Sequence, residues 1–176
     1  RPLTGIGEVQ PGDDLPALLI GALHEHPLGD GSVLVVTQKV VSKAEARFVS
    51  LTEVVPSAEA ERLSALTHKD PRLVELVLQE SVAVLRAVPH VLITRHRLGL
   101  VMANAGIDRS NIGARASDRV LLLPVDPDAS ARRIAERLRQ HFGRQIPVVI
   151  SDSFGRPWRI GVVNVAIGAA GLPSVI

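Results

Sequence analysis

The sequence contains no cysteine among its 176 residues. This absence excludes a disulfide framework, a thiolate metal site and a cysteine nucleophile. Aromatic residues make up only 2% of the chain, so it lacks the stacking surfaces used by many nucleic-acid-binding domains. The 20 basic residues are scattered, and 18 acidic residues leave a net charge of only +2. Nucleic-acid binding is therefore disfavoured, although the pI is about 9.7.

Long apolar runs and targeting signals are also missing. No stretch approaches the length that a membrane-spanning helix needs, and the N-terminus carries no secretory signal. The hydrophobic content of 46% is enough for one sizeable core, or for one domain plus part of a second. We therefore expect a cytoplasmic globular protein. Because the chain starts without methionine and stops in an apolar stretch, we interpret residues 1–176 as one domain, incomplete at its C-terminus, and expect this fragment alone to be inactive.

Helix starts are marked by side chains that cap a first turn. Asp13-Asp14, Ser57, Asp70 and Asp126 each stand before an apolar pattern with helical spacing. Proline follows Asp70 and Asp126 directly, in a position that suits the first turn of a helix. Gly143 ends the last of these patterns.

Short apolar runs bounded by turn residues predict the strands, which cover residues 32–37, 91–94, 100–103, 120–124 and 146–150. The runs 91–94 and 100–103 flank a short turn and predict a hairpin. Residues 120–151 read as a strand–helix–strand (β-α-β) unit, whose crossover should be right-handed if its strands are parallel. Together these patterns predict an α+β fold with a mixed sheet and flanking helices.

Polar side chains gather where three of the predicted strands end. Lysine suits a phosphate oxygen, whereas carboxylates and hydroxyls suit a hard cation. The first two clusters also fit ordinary solvated turns. The clusters are Gln38, Ser42 and Lys43; then Asp108, Ser110 and Asn111; then Asp152 and Ser153 with Arg156 and Arg159.

The third cluster favours a functional site over a capped turn. Its segment, Ser151–Arg159, joins a carboxylate, hydroxyls, two arginines and the chain's single tryptophan directly after a buried strand. Ligands in α/β proteins bind at such strand ends. We therefore predict a metal–phosphate or metal–carboxylate site in which Asp108 and Asp152 approach each other at one end of the sheet and share one or two divalent ions.

Other motifs are incomplete. The six histidines lack the spacing of a zinc site. No Walker-type phosphate loop is present, and Gly5-Ile6-Gly7 lacks the rest of a dinucleotide fingerprint. From the residues alone, a metal-dependent phosphatase or another phosphoryl-transfer enzyme therefore stays open.

These clusters, in this order, resemble the coenzyme F420-0:L-glutamate ligase (gamma-glutamyl ligase) family. The resemblance runs nearly from end to end, through several long and unusual strings. The matching segments are Gln10–Leu15, Val35–Glu45, Ala103–Asn111, Leu121–Ala131, Ser151–Arg159 and Val165–Leu172.

The resemblance implies a GTP-dependent ligase that adds L-glutamate to coenzyme F420-0 through an acyl phosphate and releases GDP and phosphate. It further implies a requirement for Mg²⁺ or Mn²⁺, a role for K⁺ and a homodimer. The matching GTP contacts are Ile6, Gly7, Glu8, Val9, Gln38, Lys43 and Asn111, and the matching metal ligands are Asp108, Asp152 and Ser153. The catalytic residues stay unassigned.

One departure from the family pattern concerns Asn164, which stands where many members carry aspartate. If that aspartate helps to bind substrate or metal, asparagine weakens its contribution. An inactive nucleotide- or metal-binding homologue is therefore the alternative interpretation.

Overall fold

The computed structural model describes residues 1–26, 28–109, 118–155 and 160–172. Helices and strands alternate irregularly along these ranges, which confirms the predicted α+β class. The helices are α1 (Leu15–His24), α2 (Gln38–Ala44), α3 (Ala58–Thr67), α4 (Pro71–Gln79) and α5 (Pro127–Phe142). The strands are β1 (Leu34–Thr37), β2 (Phe48–Ser50), β3 (Ser81–Val88), β4 (Val91–His96), β5 (Val101–Ala103), β6 (Arg119–Leu121), β7 (Val148–Gly155) and β8 (Val162–Ala170).

The chain divides into two compact units, each discontinuous in sequence. The first unit contains Arg1–Arg47, Leu123–Ser153 and Val163–Ile176, and the second contains Phe48–Leu122 and Phe154–Val162. Across the described ranges, no helix combines the length and apolar content needed to cross a membrane.

The first unit is built on the three-stranded sheet β1-β7-β8. Its central strand β7 pairs in parallel with β1, from Leu34 opposite Val148 to Thr37 opposite Ser151. Apolar side chains of α1, α5 and this sheet form its core because each element presents one apolar face to the others. The buried members include Leu19, Leu23, Val36, Ile134, Leu138, Val148 and Ile150.

Capping side chains set where α1 and α5 begin. Asp14 accepts a hydrogen bond from the Ala17 amide at 3.1 Å, and Asp126 accepts one from the Ala129 amide at 2.8 Å. Each bond satisfies an amide that has no partner within its helix. Gly143 ends α5 in the left-handed conformation, with φ of 67°. The predicted starts of both helices and the predicted end of α5 are thus confirmed.

The second unit contains the antiparallel pair β2–β6 and the sheet β3-β4-β5. The predicted hairpin is confirmed, because β4 and β5 are antiparallel with Ile93 opposite Ala103. Helices α3 and α4 also start at the predicted caps, Ser57 and Asp70. The core of this unit includes Leu51, Leu63, Val74, Val77, Leu92 and Val120.

The pairing of the strands refines the strand–helix–strand prediction. The order β6, α5, β7 is present, but β6 pairs with β2 whereas β7 pairs with β1. The crossover rule therefore does not apply to β6 and β7, since it concerns two parallel strands of one sheet. Strand β3, which the sequence patterns did not indicate, pairs along β4 with irregular register.

Candidate functional site

The Ser-Asp-Ser segment lies inside β7 rather than after it. The sequence predicts a strand that stops at Ile150, whereas β7 continues to Gly155. The parallel partner β1 ends earlier, since its last pair joins Thr37 to Ser151. Asp152 and Ser153 therefore lie on the part of β7 that extends past the carboxyl end of β1, the kind of sheet edge where ligands bind.

Asp152 and Ser153 have different surroundings. Asp152 is half-buried, and its Oδ1 accepts a hydrogen bond from the Ser153 amide at 2.8 Å. Because side chains alternate along a strand, Asp152 shares a face with the core residue Ile150, and Ser153 points to the other face. The exposed Ser153 hydroxyl donates a hydrogen bond to Oδ1 of Asn164 at 2.5 Å.

Asn164 is thus a hydrogen-bond partner of the Ser153 hydroxyl. It interrupts the otherwise apolar strand β8, which is the sequence signal that marks it. A carboxylate, a hydroxyl and an amide oxygen are all hard donors of the kind that Mg²⁺ and Mn²⁺ prefer. These residues therefore fit a divalent metal ion chemically.

A second pair joins two segments that were predicted to contact GTP. The Lys43 ammonium lies 3.4 Å from Oε1 of Glu8, and the Lys43 side chain is 15% exposed. The Gly12 amide also donates to the Ala44 carbonyl at 3.0 Å, which fastens the N-terminal segment to the end of α2. The structure thus brings Glu8 and Lys43 together, although the sequence separates them by 35 positions.

The remaining predicted GTP contacts of the first unit differ in exposure. Gln38 is buried, and its Oε1 accepts a hydrogen bond from Ser42 Oγ at 3.0 Å, so this side chain is engaged within α2. Val9 is buried and Ile6 packs against the core of the first unit. Gly7 is exposed, and an added Cβ would meet nothing within 4 Å.

Asp108 belongs to the second unit and follows an unusual turn. Asn104, Ala105 and Gly106 have consecutive positive φ angles of 50°, 52° and 70°. Positive φ is costly for residues other than glycine, and such backbone often occurs at functional sites. After the turn, the Asp108 backbone exchanges hydrogen bonds of 3.0 and 2.9 Å with Leu121. This bridge fixes the backbone from which the Asp108 carboxylate projects.

Several predicted site residues lie outside the described ranges, namely Ser110, Asn111, Arg156 and Arg159. Asp108 and Asp152 belong to different units, and their proposed sharing of metal stays a prediction. Among the described residues, no three His, Asp or Glu side chains form a metal-binding group. A Mg²⁺ site needs no such group, since one or two carboxylates commonly act together with substrate phosphates.

A cavity of about 710 Å³ lies in the first unit, beside α1, α2 and α5. Its charges are matched internally: the Glu45 carboxylate accepts hydrogen bonds from Ser130 and Arg133. The Asp14 carboxylate accepts hydrogen bonds from the Ala17 amide and from the Arg137 guanidinium, and these bonds hold the pKa of its carboxyl below the ordinary value. None of the described residues predicted to contact GTP or metal lines this cavity. It is therefore distinct from the candidate site.

The chain resembles known proteins that belong to one family. Residues 5–176 match the family model described as F420-0:Gamma-glutamyl ligase. The chain is 46% identical over 166 residues to the coenzyme F420:L-glutamate ligase of Methanopyrus kandleri, covering 94% of this chain and 64% of the relative. It is 43% identical over 175 residues to the protein of the same name from Methanothermobacter thermautotrophicus, covering 98% and 68%.

A third relative gives the same result. The coenzyme F420:L-glutamate ligase of Haloarcula marismortui is 41% identical over 179 residues, covering 98% of this chain and 66% of the relative. The chain thus spans about two thirds of the length of the curated relatives that it matches.

Proposed function

Because the chain belongs to the F420-0:gamma-glutamyl ligase family, we propose that the complete protein adds L-glutamate to coenzyme F420-0, with GTP as phosphoryl donor. The observation that carries this proposal is the family match from residue 5 to residue 176. The oxygen donors Asp152 and Ser153 of β7 and Asn164 of β8 support it, because they suit the metal–phosphate chemistry that such a reaction needs.

The proposed reaction has two steps. A carboxylate oxygen of F420-0 attacks the γ-phosphorus of GTP, the β–γ bridging P–O bond breaks, and GDP leaves. The glutamate amine then attacks the carbon of the acyl phosphate, a C–N bond forms, and phosphate departs with the C–O bond as the amine loses a proton. Both steps depend on positioning and on neutralising phosphate charge.

We propose Asp152, Ser153 and Asp108 as the ligands of Mg²⁺ or Mn²⁺. Asp152 supplies negative charge, and Ser153 supplies a hydroxyl oxygen whose proton is held by Asn164. The divalent ion, when bound, neutralises phosphate charge during transfer. Hydrogen bonding to Asn164 directs the Ser153 proton away, which leaves the lone pairs of Ser153 Oγ available as a ligand.

We propose Lys43 as a direct contact of a GTP phosphate oxygen, with Ile6, Gly7, Glu8, Val9, Gln38 and Asn111 as further GTP contacts. A phosphate would replace Glu8 as the partner of the Lys43 ammonium. The use of K⁺ and assembly as a homodimer are part of the same proposal.

The dependence of GDP release on both substrates tests the function. We supply the complete protein with GTP and Mn²⁺ and measure the steady-state rate of GDP release. We expect steady-state release only when F420-0 and L-glutamate are both present. GDP release that needs neither substrate would indicate a phosphatase or another phosphoryl-transfer enzyme. A protein that binds GTP and Mn²⁺ but never turns over would be the inactive homologue.

Replacing Lys43 with alanine should weaken GTP binding far more than stability. A hydrogen bond to a charged group is worth about 1.5–3 kcal/mol, which corresponds to roughly a ten- to hundredfold loss of affinity. Stability should change by about 1 kcal/mol or less, because the pair with Glu8 is an ordinary partly exposed ion pair. Calorimetric titration of GTP measures the first effect. The control, Lys69→Ala, removes a lysine of the second unit; equal affinities in both variants would contradict the role of Lys43.

Asn164→Asp should tighten Mn²⁺ binding. The change adds a negative charge beside Ser153 while keeping an oxygen that accepts its hydrogen bond. Since ligand charge tunes the affinity of oxygen sites for divalent ions, we expect a gain of about tenfold by calorimetry. Gln145→Glu adds the same charge at an exposed position and controls for the general increase in negative charge. If Asn164→Asp binds Mn²⁺ no better than that control, Asn164 has no part in the metal site.

A further inference from the structure

His24 and His141 form a pair in the first unit that the proposed function does not use. His24 is the last residue of α1, and His141 lies in the last turn of α5. Their Nε2 atoms are 3.0 Å apart, and the rings meet in a T-shaped contact with centroids 5.0 Å apart. Both side chains are exposed, so a solute can reach them.

We propose that His24 and His141 bind a divalent transition-metal ion of the Cu²⁺ or Ni²⁺ type. Imidazole nitrogens bind such metals, and metal–nitrogen bonds of about 2.0–2.1 Å place two ligands at right angles roughly 2.8–3.0 Å apart. Tetrahedral ligands at the same bond length are roughly 3.3–3.4 Å apart. The observed 3.0 Å, at which one imidazole ring donates a hydrogen bond to the other, is close to the separation of neighbouring positions in a square or tetragonal site.

The surroundings favour a cation at this point. Both histidines lie at helix C-termini, where the helix dipole carries partial negative charge. Phe142 contacts both rings, with centroid distances of 4.8 Å to His141 and 5.6 Å to His24. This contact restricts the rings on one side and so keeps them close to a chelating arrangement.

The structure also sets limits on the affinity. No further Asp, Glu or His among the described residues completes a three-residue metal group. Water would therefore fill the other coordination positions, and the ion should exchange readily. By the general order of divalent metal affinities, Cu²⁺ should bind more tightly than Ni²⁺.

The test is titration of the complete protein with CuCl₂, followed by calorimetry and by electron paramagnetic resonance for nitrogen ligation. Since loss of even an outer partner of a metal ligand weakens binding about 10- to 100-fold, His24→Ala and His141→Ala should each weaken Cu²⁺ binding at least about tenfold. Both residues are exposed, so the variants should keep the wild-type circular dichroism.

A second histidine pair in the same chain supplies the control. His68 and His90 also have rings in contact, but with centroids 5.6 Å apart and in a tilted arrangement. His68→Ala should leave the strongest Cu²⁺ site unchanged. The proposal is overturned if His68→Ala weakens that site as much as His24→Ala does, or if the double variant of His24 and His141 retains it. The outcome is independent of ligase activity, because metal binding alone is measured.

Discussion

Replacing Asp152 with asparagine is expected to reduce metal-dependent ligase turnover of the complete protein by at least about a hundredfold, the scale on which loss of one stabilising group of a transition state acts. The substitution keeps size and shape but removes the negative charge that would hold a divalent ion. Asp152 lies past the end of β1 and is only half-buried, so the loss should be of charge rather than of packing. The measurement is kcat with saturating GTP, F420-0 and L-glutamate across a Mn²⁺ titration.

The matched control is Asp30→Asn, which removes the same charge from an exposed turn of the first unit. It should keep wild-type kcat. Thermal unfolding of both variants should resemble that of the wild type. An Asp152→Asn protein that retains wild-type kcat and its Mn²⁺ dependence would show that Asp152 is not a ligand.

Replacing Gly168 with alanine should cause the largest loss of stability among the substitutions considered. A Cβ at this position would lie 2.5 Å from the backbone carbon and oxygen of Pro127 and 2.8 Å from its Cβ. These atoms begin α5, which is further fixed by the bond from the Ala169 amide to Asp128 Oδ1 at 2.8 Å. Because backbone has to move, we expect a decrease of about 1–3 kcal/mol in the free energy of unfolding.

The control is the same substitution at Gly21 in α1, where an added Cβ meets nothing within 4 Å. There alanine should raise stability by up to about 1 kcal/mol, since glycine is the poorer helix former. Urea unfolding of both variants of the complete protein measures the two effects. Equal changes of the same sign would show that β8 does not pack on the start of α5 as described.

Four of the five helices, α1, α3, α4 and α5, were the most predictable part of the fold, whereas α2, which has no side-chain cap, was not predicted. Their starts depend on local chemistry: Asp14, Ser57, Asp70 and Asp126 each accept a hydrogen bond from an amide of the first turn. Gly143 likewise ends α5 through its own left-handed backbone. A capping side chain and the amide that it satisfies lie within a few residues, so the sequence contains all the information needed.

The strand pairings were less predictable, because they depend on distant contacts. Neither the apolar run before Asp152 nor β1 indicates from its own composition that these two strands pair in parallel. Strand β3 was not predicted from the sequence. Its pairing with β4 shifts register between Ser81 and Ala83 and between Val84 and Arg86, and such shifts depend on the partner strand. Pairing of this kind is decided by packing against other elements rather than by propensity.

In the candidate site, too, the residue types could be read from the sequence but the contacts between them could not. The residue types at strand ends made Lys43 and Asp152 candidates for phosphate and metal contacts, because their charges suit those ligands, and both assignments stay predictions. The contact of Ser153 with Asn164 depends on the neighbouring positions of β7 and β8, and the contact of Lys43 with Glu8 depends on the path of the N-terminal segment. Such pairs are set by tertiary structure, and no short spacing in the sequence marks them.

We propose that F420-0 is activated as an acyl phosphate before glutamate attacks. The most direct measurement supplies the complete protein with F420-0 labelled with oxygen-18 in its carboxylate, together with GTP, Mn²⁺ and L-glutamate, and analyses the products by mass spectrometry. We expect one labelled oxygen in each released phosphate and one gamma-glutamyl amide for each GDP. Unlabelled phosphate, or GDP released without the amide, would contradict it.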